Sequence, residues 1–167
     1  KRISDITPFL AITISALSII GSWLIYDFIC KSKLINYKIV FPAILLIIGT
    51  VISFGLTKIY SPQFAFLQSG IILGSLMTGN VFKVIAPNGR KIALAASKKI
   101  KFDLNLSLQA KVRSVHNNII TLLVLFIMLS HGSASFISGN KPSWLVLAVL
   151  AIIFGMIQYY VNWKNKK

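Results

Sequence analysis

Five apolar stretches, each close to twenty residues long and bounded by polar or basic segments, divide the chain at 9–29, 39–57, 64–85, 117–133 and 143–163. A helix rises about 1.5 Å per residue, so each stretch would cross the roughly 30 Å hydrocarbon core of a bilayer. None alternates apolar and polar residues as a barrel strand must, and backbone facing lipid has to bond within its own segment. The pattern therefore predicts an all-α fold: a polytopic transmembrane bundle with five membrane-spanning helices in one domain, and residues 86–116 as a basic loop. No internal repeat or compositionally disordered segment interrupts it.

Small residues four apart indicate which faces meet. Gly70 with Gly74 and Ser75 with Gly79 fall in the third stretch, Ser18 with Ser22 in the first, and Gly49 with Ser53 in the second. This spacing lets a neighbouring helix backbone approach closely, so packing is the expected role.

Composition sharpens the class. Only 13% of residues are charged and 56% are hydrophobic, whereas a water-soluble domain averages about 25% charged. The net charge of +15 raises nucleic acid as a partner, but the cations lie between apolar runs instead of clustering on a soluble face, so no nucleic acid is expected. They sort by side instead. Fourteen fall in segments 31–38, 83–113 and 164–167, against four at Lys1, Arg2, Lys58 and Lys141. The richer side should be cytoplasmic, with the C-terminus ending there and the visible N-terminus outside. The first apolar run is too long for a signal-peptide core, and Lys1 stands first, so the sequence reads as a piece of a longer chain. Cys30 is the only cysteine, which excludes an internal disulfide, a cysteine metal cluster and a CxxCH haem site. No metal site is expected.

Followed in their alternating directions, the spans bring their few polar residues to one depth. Tyr26 and Asp27 lie near the cytoplasmic end of the first span. Asn80 lies roughly 10 Å inside Pro87 in the third. Arg113, His116, Asn117 and Asn118 stand at the entrance of the fourth. Such groups within a span usually face a bundle interior or a wet cavity, so the expectation is a polar pocket rimmed by Arg90, Lys91 and Arg113 that takes a small anion. Each residue also has a plainer reading. Asp27 can pair with Lys31 one turn on, Asn117, Asn118 or Ser114 can cap a helix start, and Asn80 or His116 can bridge helices. His131, a lone histidine near the outer end of the fourth span, is a candidate axial ligand for a b-type haem. Trp144, Tyr159, Tyr160 and Trp163 suit the aromatic belts, and Lys83 suits snorkelling to the headgroups.

The segments WLIYDFICKSKL (23–34), GNVFKVIAPNGRKI (79–92) and RSVHNNIITLLVLFIMLS (113–130) resemble the bacterial membrane-bound, cytochrome c-linked urate oxidase (urate hydroxylase, PuuD) family, and the likeness runs in order along almost the whole chain. The resemblance implies an inner-membrane protein of about eight helices, two spans lying upstream of this sequence and one downstream, followed by a domain carrying a c-type haem. It implies oxidation of urate to 5-hydroxyisourate with electrons passed to cytochrome c. On matching positions, His116 would relay a proton as the catalytic residue, Asn80 and Asn117 would hold the ring edges, and Arg90 or Arg113 would steady the anion. Asp27 and Asn118 would complete the substrate site. The chain departs from the family at Gln68, where a histidine is expected, at Gly89 in place of glutamine, at Leu123 in place of proline, and at the SHG of 130–132. Two rival readings are a noncatalytic or haem- or quinone-binding membrane subunit of a respiratory-type complex, and an anion transporter. The second lacks the broken helices and repeat symmetry usual for transporters.

Overall fold

The computed structural model describes residues 7–32, 40–130 and 143–164. His131 and most of the outer cations lie outside the described residues. The chain forms α1 (Pro8–Lys31), α2 (Val40–Ile59), α3 (Pro62–Asn80), a π-helical turn (Val81–Ile85), α4 (Ala86–Ser97), α5 (Leu104–Ser130) and α6 (Ser143–Lys164). The helix starts are written locally. Thr7 accepts from the Leu10 amide ahead of Pro8, and Ser61 precedes Pro62 at the head of α3, each proline sitting where its missing N–H has no helical partner to lose.

Residues 86–116 are not a loop. α3, the π turn and α4 make one continuous rod from Pro62 to Ser97, and α5 begins at Leu104, thirteen residues before the expected entrance at Asn117. Pro87 does not end the rod, because the turn before it is already widened: the Ala86 amide bonds back to the Val81 carbonyl, five residues earlier. A proline in the next position then loses no regular bond from an unbroken ladder. Asp103 starts α5 by accepting from the Asn105 amide at 2.9 Å, a helix-start contact favoured for aspartate. Asn88 ties α4 to α5 through the Leu106 carbonyl at 3.2 Å. Asn117 and Asn118 are therefore mid-helix residues and cap nothing.

Four of these rods, Pro8–Lys31, Pro42–Ile59, Pro62–Ser97 and Leu104–Ser130, are long and apolar enough to cross a membrane, and α6 carries a shorter apolar core, Trp144–Ile157. The polarity is inverted relative to a water-soluble protein. Phe9, Ile12, Leu17, Phe28, Leu129 and Met156 are exposed, whereas Ser22, Asp27, Ser53, Gln68, Asn80 and Arg113 are buried. Apolar outer faces suit lipid, while buried polar groups bond between helices.

α3 is the central rod and packs against α1, α2, α5 and α6. Phe66, Leu123, Ile127 and Leu147 join α3, α5 and α6, and Tyr26, Ile29 and Cys30 of α1 meet Ile44, Leu45 and Ile48 of α2. The small residues do not all serve these contacts. A Cβ at Gly79 would fall on the Trp23 indole, one at Gly70 would lie 2.5 Å from Ile127 Cγ2, and one at Gly74 would meet nothing within 4 Å. Gly79→Ala is therefore expected to destabilise the bundle by about 1–3 kcal/mol through overpacking against a rigid bicycle. Gly74→Ala should be neutral or stabilising by up to about 1 kcal/mol, from helix propensity alone. Denaturant melts of the two variants in detergent check the contrast.

Candidate functional site

α1, α3 and α5 bring their polar residues together at the end of the bundle where α1 stops. On α5, Arg113, His116 and Asn117 are three and four residues apart and so share one face. Asp27 and Tyr26 come from the last turns of α1, and Asn80 ends α3 just before the π turn. These are not loose tips around an opening but a directly bonded cluster.

The bonds form a continuous path. Lys31 Nζ lies 2.6 Å from Asp27 Oδ2, and Arg113 Nη2 donates to Asp27 Oδ1 at 2.6 Å. Arg113 Nη1 donates to Asn80 Oδ1 at 3.0 Å. The Asn80 amide donates to Tyr26 Oη at 3.0 Å and to Asn117 Oδ1 at 2.8 Å. Asn117 donates onward to the Met77 carbonyl at 3.1 Å, and Tyr26 Oη meets His116 Nδ1 at 2.9 Å. The Arg113 guanidinium also stands 5.0 Å from the centroid of the Tyr26 ring, within range of a cation–π contact.

Burial decides what these groups can do. Asn80 is 1% and Arg113 5% exposed, so Arg113 is an internal cation held by a carboxylate and not a rim charge. One carboxylate between two cations leaves the Lys31–Asp27–Arg113 triad with a net charge of +1, and the Lys31 side chain, 73% exposed, carries that excess toward the surroundings. Asp27 makes both the Lys31 pairing available from its own helix and the long-range pairing to α5. Both N–H groups of Asn80 and its carbonyl oxygen already bond to protein, which suits holding other side chains better than gripping a ring edge.

Five of the expected site residues, Asp27, Asn80, Arg113, His116 and Asn117, thus meet. Arg90 and Asn118 do not join them. Arg90 is exposed on α4, about 15 Å further along the rod at 1.5 Å per residue, and Asn118 is exposed, turned about 100° round α5 from Asn117. Tyr26, the link between Asn80 and His116, was not among the expected site residues. Its signal was position: it precedes the only acidic residue inside an apolar stretch.

A second polar network lies toward the other end. Gln68, 2% exposed, donates to the Ser18 hydroxyl at 3.1 Å and the Ser15 carbonyl at 3.3 Å. Tyr60 donates to the Ala11 carbonyl at 2.6 Å and lies 3.0 Å from the Ser15 hydroxyl. The Gln68 amide thus fastens α3 to α1. Among the described residues, no three His, Cys, Asp or Glu side chains gather as a metal site.

The family model described as "Urate oxidase N-terminal" matches residues 1–167, the whole of the sequence. No curated protein and no solved structure matches the chain.

Proposed function

Because the chain belongs to the urate oxidase N-terminal family, we propose that it is the membrane module of a urate oxidase-like oxidoreductase whose working centre is the Asp27–Arg113–Asn80–Tyr26–His116 cluster. The observation that carries this reading is the buried Asp27–Arg113 pair, with the exposed Lys31 beside it for a net charge of +1, joined through Asn80 and Tyr26 to the His116 imidazole. Urate is a planar monoanion, and the uncompensated positive charge at the exposed Lys31 edge of the cluster attracts one negative charge. Arg90, exposed on the same lysine-rich end, attracts the anion from solution, and that end faces the cytoplasm of a bacterial inner membrane.

Conversion of urate to 5-hydroxyisourate adds the oxygen of one water and releases two electrons and two protons. The electrons go to one-electron acceptors of the cytochrome c class. His116 takes a proton as they leave, Tyr26 fixes the Nδ1 side of its ring, and Asn80 and Asn117 hold Tyr26 against the last turn of α3. His116 is half-buried and stands at the edge of the charged cluster.

A b-type haem needs axial donors, and those among the described residues do not fit one. His116 is the one histidine among them, so no pair of imidazoles is available, and position 68 offers an amide already bonded to α1. No step is routed through a haem in this chain. The direct test is urate consumption by the purified protein in lipid, followed with and without a one-electron acceptor such as ferricyanide. The expected result is acceptor-dependent loss of urate with two acceptors reduced per urate. No loss under any acceptor would favour the noncatalytic membrane subunit instead.

A further inference from the structure

We propose that Asp27 and Arg113 are positioning residues: their ion pair fixes the direction of every hydrogen bond from Asn80 to His116 and so selects which nitrogen of the imidazole carries its proton. The catalytic consequence rests on the function proposed above, but the structural claim does not.

A guanidinium has donors only, so the Asn80 atom facing Arg113 Nη1 must be the carbonyl oxygen. That choice turns the amide nitrogen toward Tyr26 Oη and Asn117 Oδ1. Asn117, having accepted, must donate with its own nitrogen, and it does so to the Met77 carbonyl. Tyr26 Oη, having accepted from Asn80, keeps one proton to give, and of the two side chains within its reach His116 Nδ1 at 2.9 Å is a far better acceptor than the Cys30 sulfur, so the proton goes to Nδ1 and the imidazole carries its own on Nε2. Turned by 180°, the Asn80 amide would present an acceptor to Tyr26, which would then spend its proton on Asn80. His116 would have to donate from Nδ1 instead. Asp27 sets the arrangement from the far end by pinning the guanidinium at 2.6 Å while its other oxygen holds Lys31. Asp27 has no bond to His116 among those described above, yet it governs the ring through three side chains. Buried networks polarise in this way because every member has to be satisfied at once.

The test reads the imidazole itself. The full chain is labelled with 15N-histidine in nanodiscs, with His131→Gln leaving His116 as the one labelled ring. In the parent, Nδ1 is expected to be unprotonated and Nε2 protonated. Asn80→Asp replaces the donor with an acceptor, and the added negative charge is balanced by the +1 of the triad, so the cluster becomes neutral and the fold is retained. Tyr26 must then donate to the new carboxylate, and His116 is expected to switch to protonated Nδ1. Tyr26→Phe, an almost isosteric change, is expected to remove the Nδ1 hydrogen-bond shift and to abolish any response of His116 to Asp27→Asn. Unchanged His116 nitrogens in Asn80→Asp, or an Asp27→Asn response that survives in Tyr26→Phe, would overturn the proposal.

For urate turnover, Asp27→Asn is expected to lower kcat about tenfold or more with KM within about threefold, as misplacing a reacting group does, and Asp27→Glu to recover most of it. If the nitrogens switch as stated while no variant or parent consumes urate, the positioning relay stands and the urate reading fails. If urate is consumed but the nitrogens never respond, the reverse holds.

Discussion

Arg113→Met lowers the stability of the bundle by about 3–5 kcal/mol, the cost of leaving one partner of a buried ion pair without the other. The residue sits 5% exposed, and it serves two acceptors at once, Asp27 Oδ1 and Asn80 Oδ1. Methionine fills similar volume but donates nothing, so the Asn80 oxygen is left unsatisfied in a residue only 1% exposed, and Asp27 retains only Lys31 of its two cations. The comparison with Lys31→Met isolates burial as the cause. Lys31 stands at the same 2.6 Å from the same carboxylate, but its side chain is 73% exposed, and exposed pairs contribute less than about 1 kcal/mol. Equilibrium unfolding of both variants in one detergent checks the difference, and equal losses would mean that Arg113 is not inside.

His116→Ala is the variant expected to cost activity without costing the fold. The imidazole is only half-buried, so its removal should leave the expression level close to that of the parent and lower stability by no more than about 1–3 kcal/mol, the cost of leaving the Tyr26 hydroxyl without this partner. Urate turnover, in contrast, should drop by about 10²–10⁴-fold, the range that a positioned proton-transfer group contributes. Normal turnover in the alanine variant would strip His116 of its role, whatever the packing around it.

The depth of the polar residues was legible in the sequence, because a helix advances by a fixed rise per residue and the spans alternate in direction. Asp27, Asn80 and Arg113 could be set at one level from that alone. Their bearing around each helix axis could not, and that separates a rim from a core: Arg113 reads as a loop-end cation when span limits are drawn from hydropathy, yet it faces inward one turn before Asn117. A signal for its partner existed. The chain holds three acidic residues, and Asp27 is the only one inside an apolar stretch, so a buried arginine had one candidate counter-ion available, 86 residues away.

The helical course of 86–116 was hidden for a related reason. Mean hydropathy finds helices that meet lipid and misses those that pair with each other, as α4 and α5 do through Asn88. Pro87 reads as a stop unless a π turn precedes it, and no residue in VFKVI announces one. The family likeness rested on three blocks, 23–34, 79–92 and 113–130, and each of them contributes a bonded member of the cluster: Tyr26 and Asp27, Asn80, and Arg113 with His116 and Asn117. Gln68, one of the four positions where the resemblance implies another residue, lies outside those blocks and fastens α1 to α3.

The cluster depends on Asp27 and Arg113 locking α1 to α5, and a double-mutant cycle on that pair tests the lock most directly. Asp27→Leu, Arg113→Met and the double variant are unfolded under one set of conditions. The double change should cost clearly less than the two single losses summed, since replacing both charges leaves no buried charge without its partner and only the Asn80 oxygen unsatisfied, with a coupling of about 2 kcal/mol or more. Strictly additive losses would contradict the buried pair, and with it the cluster built on it.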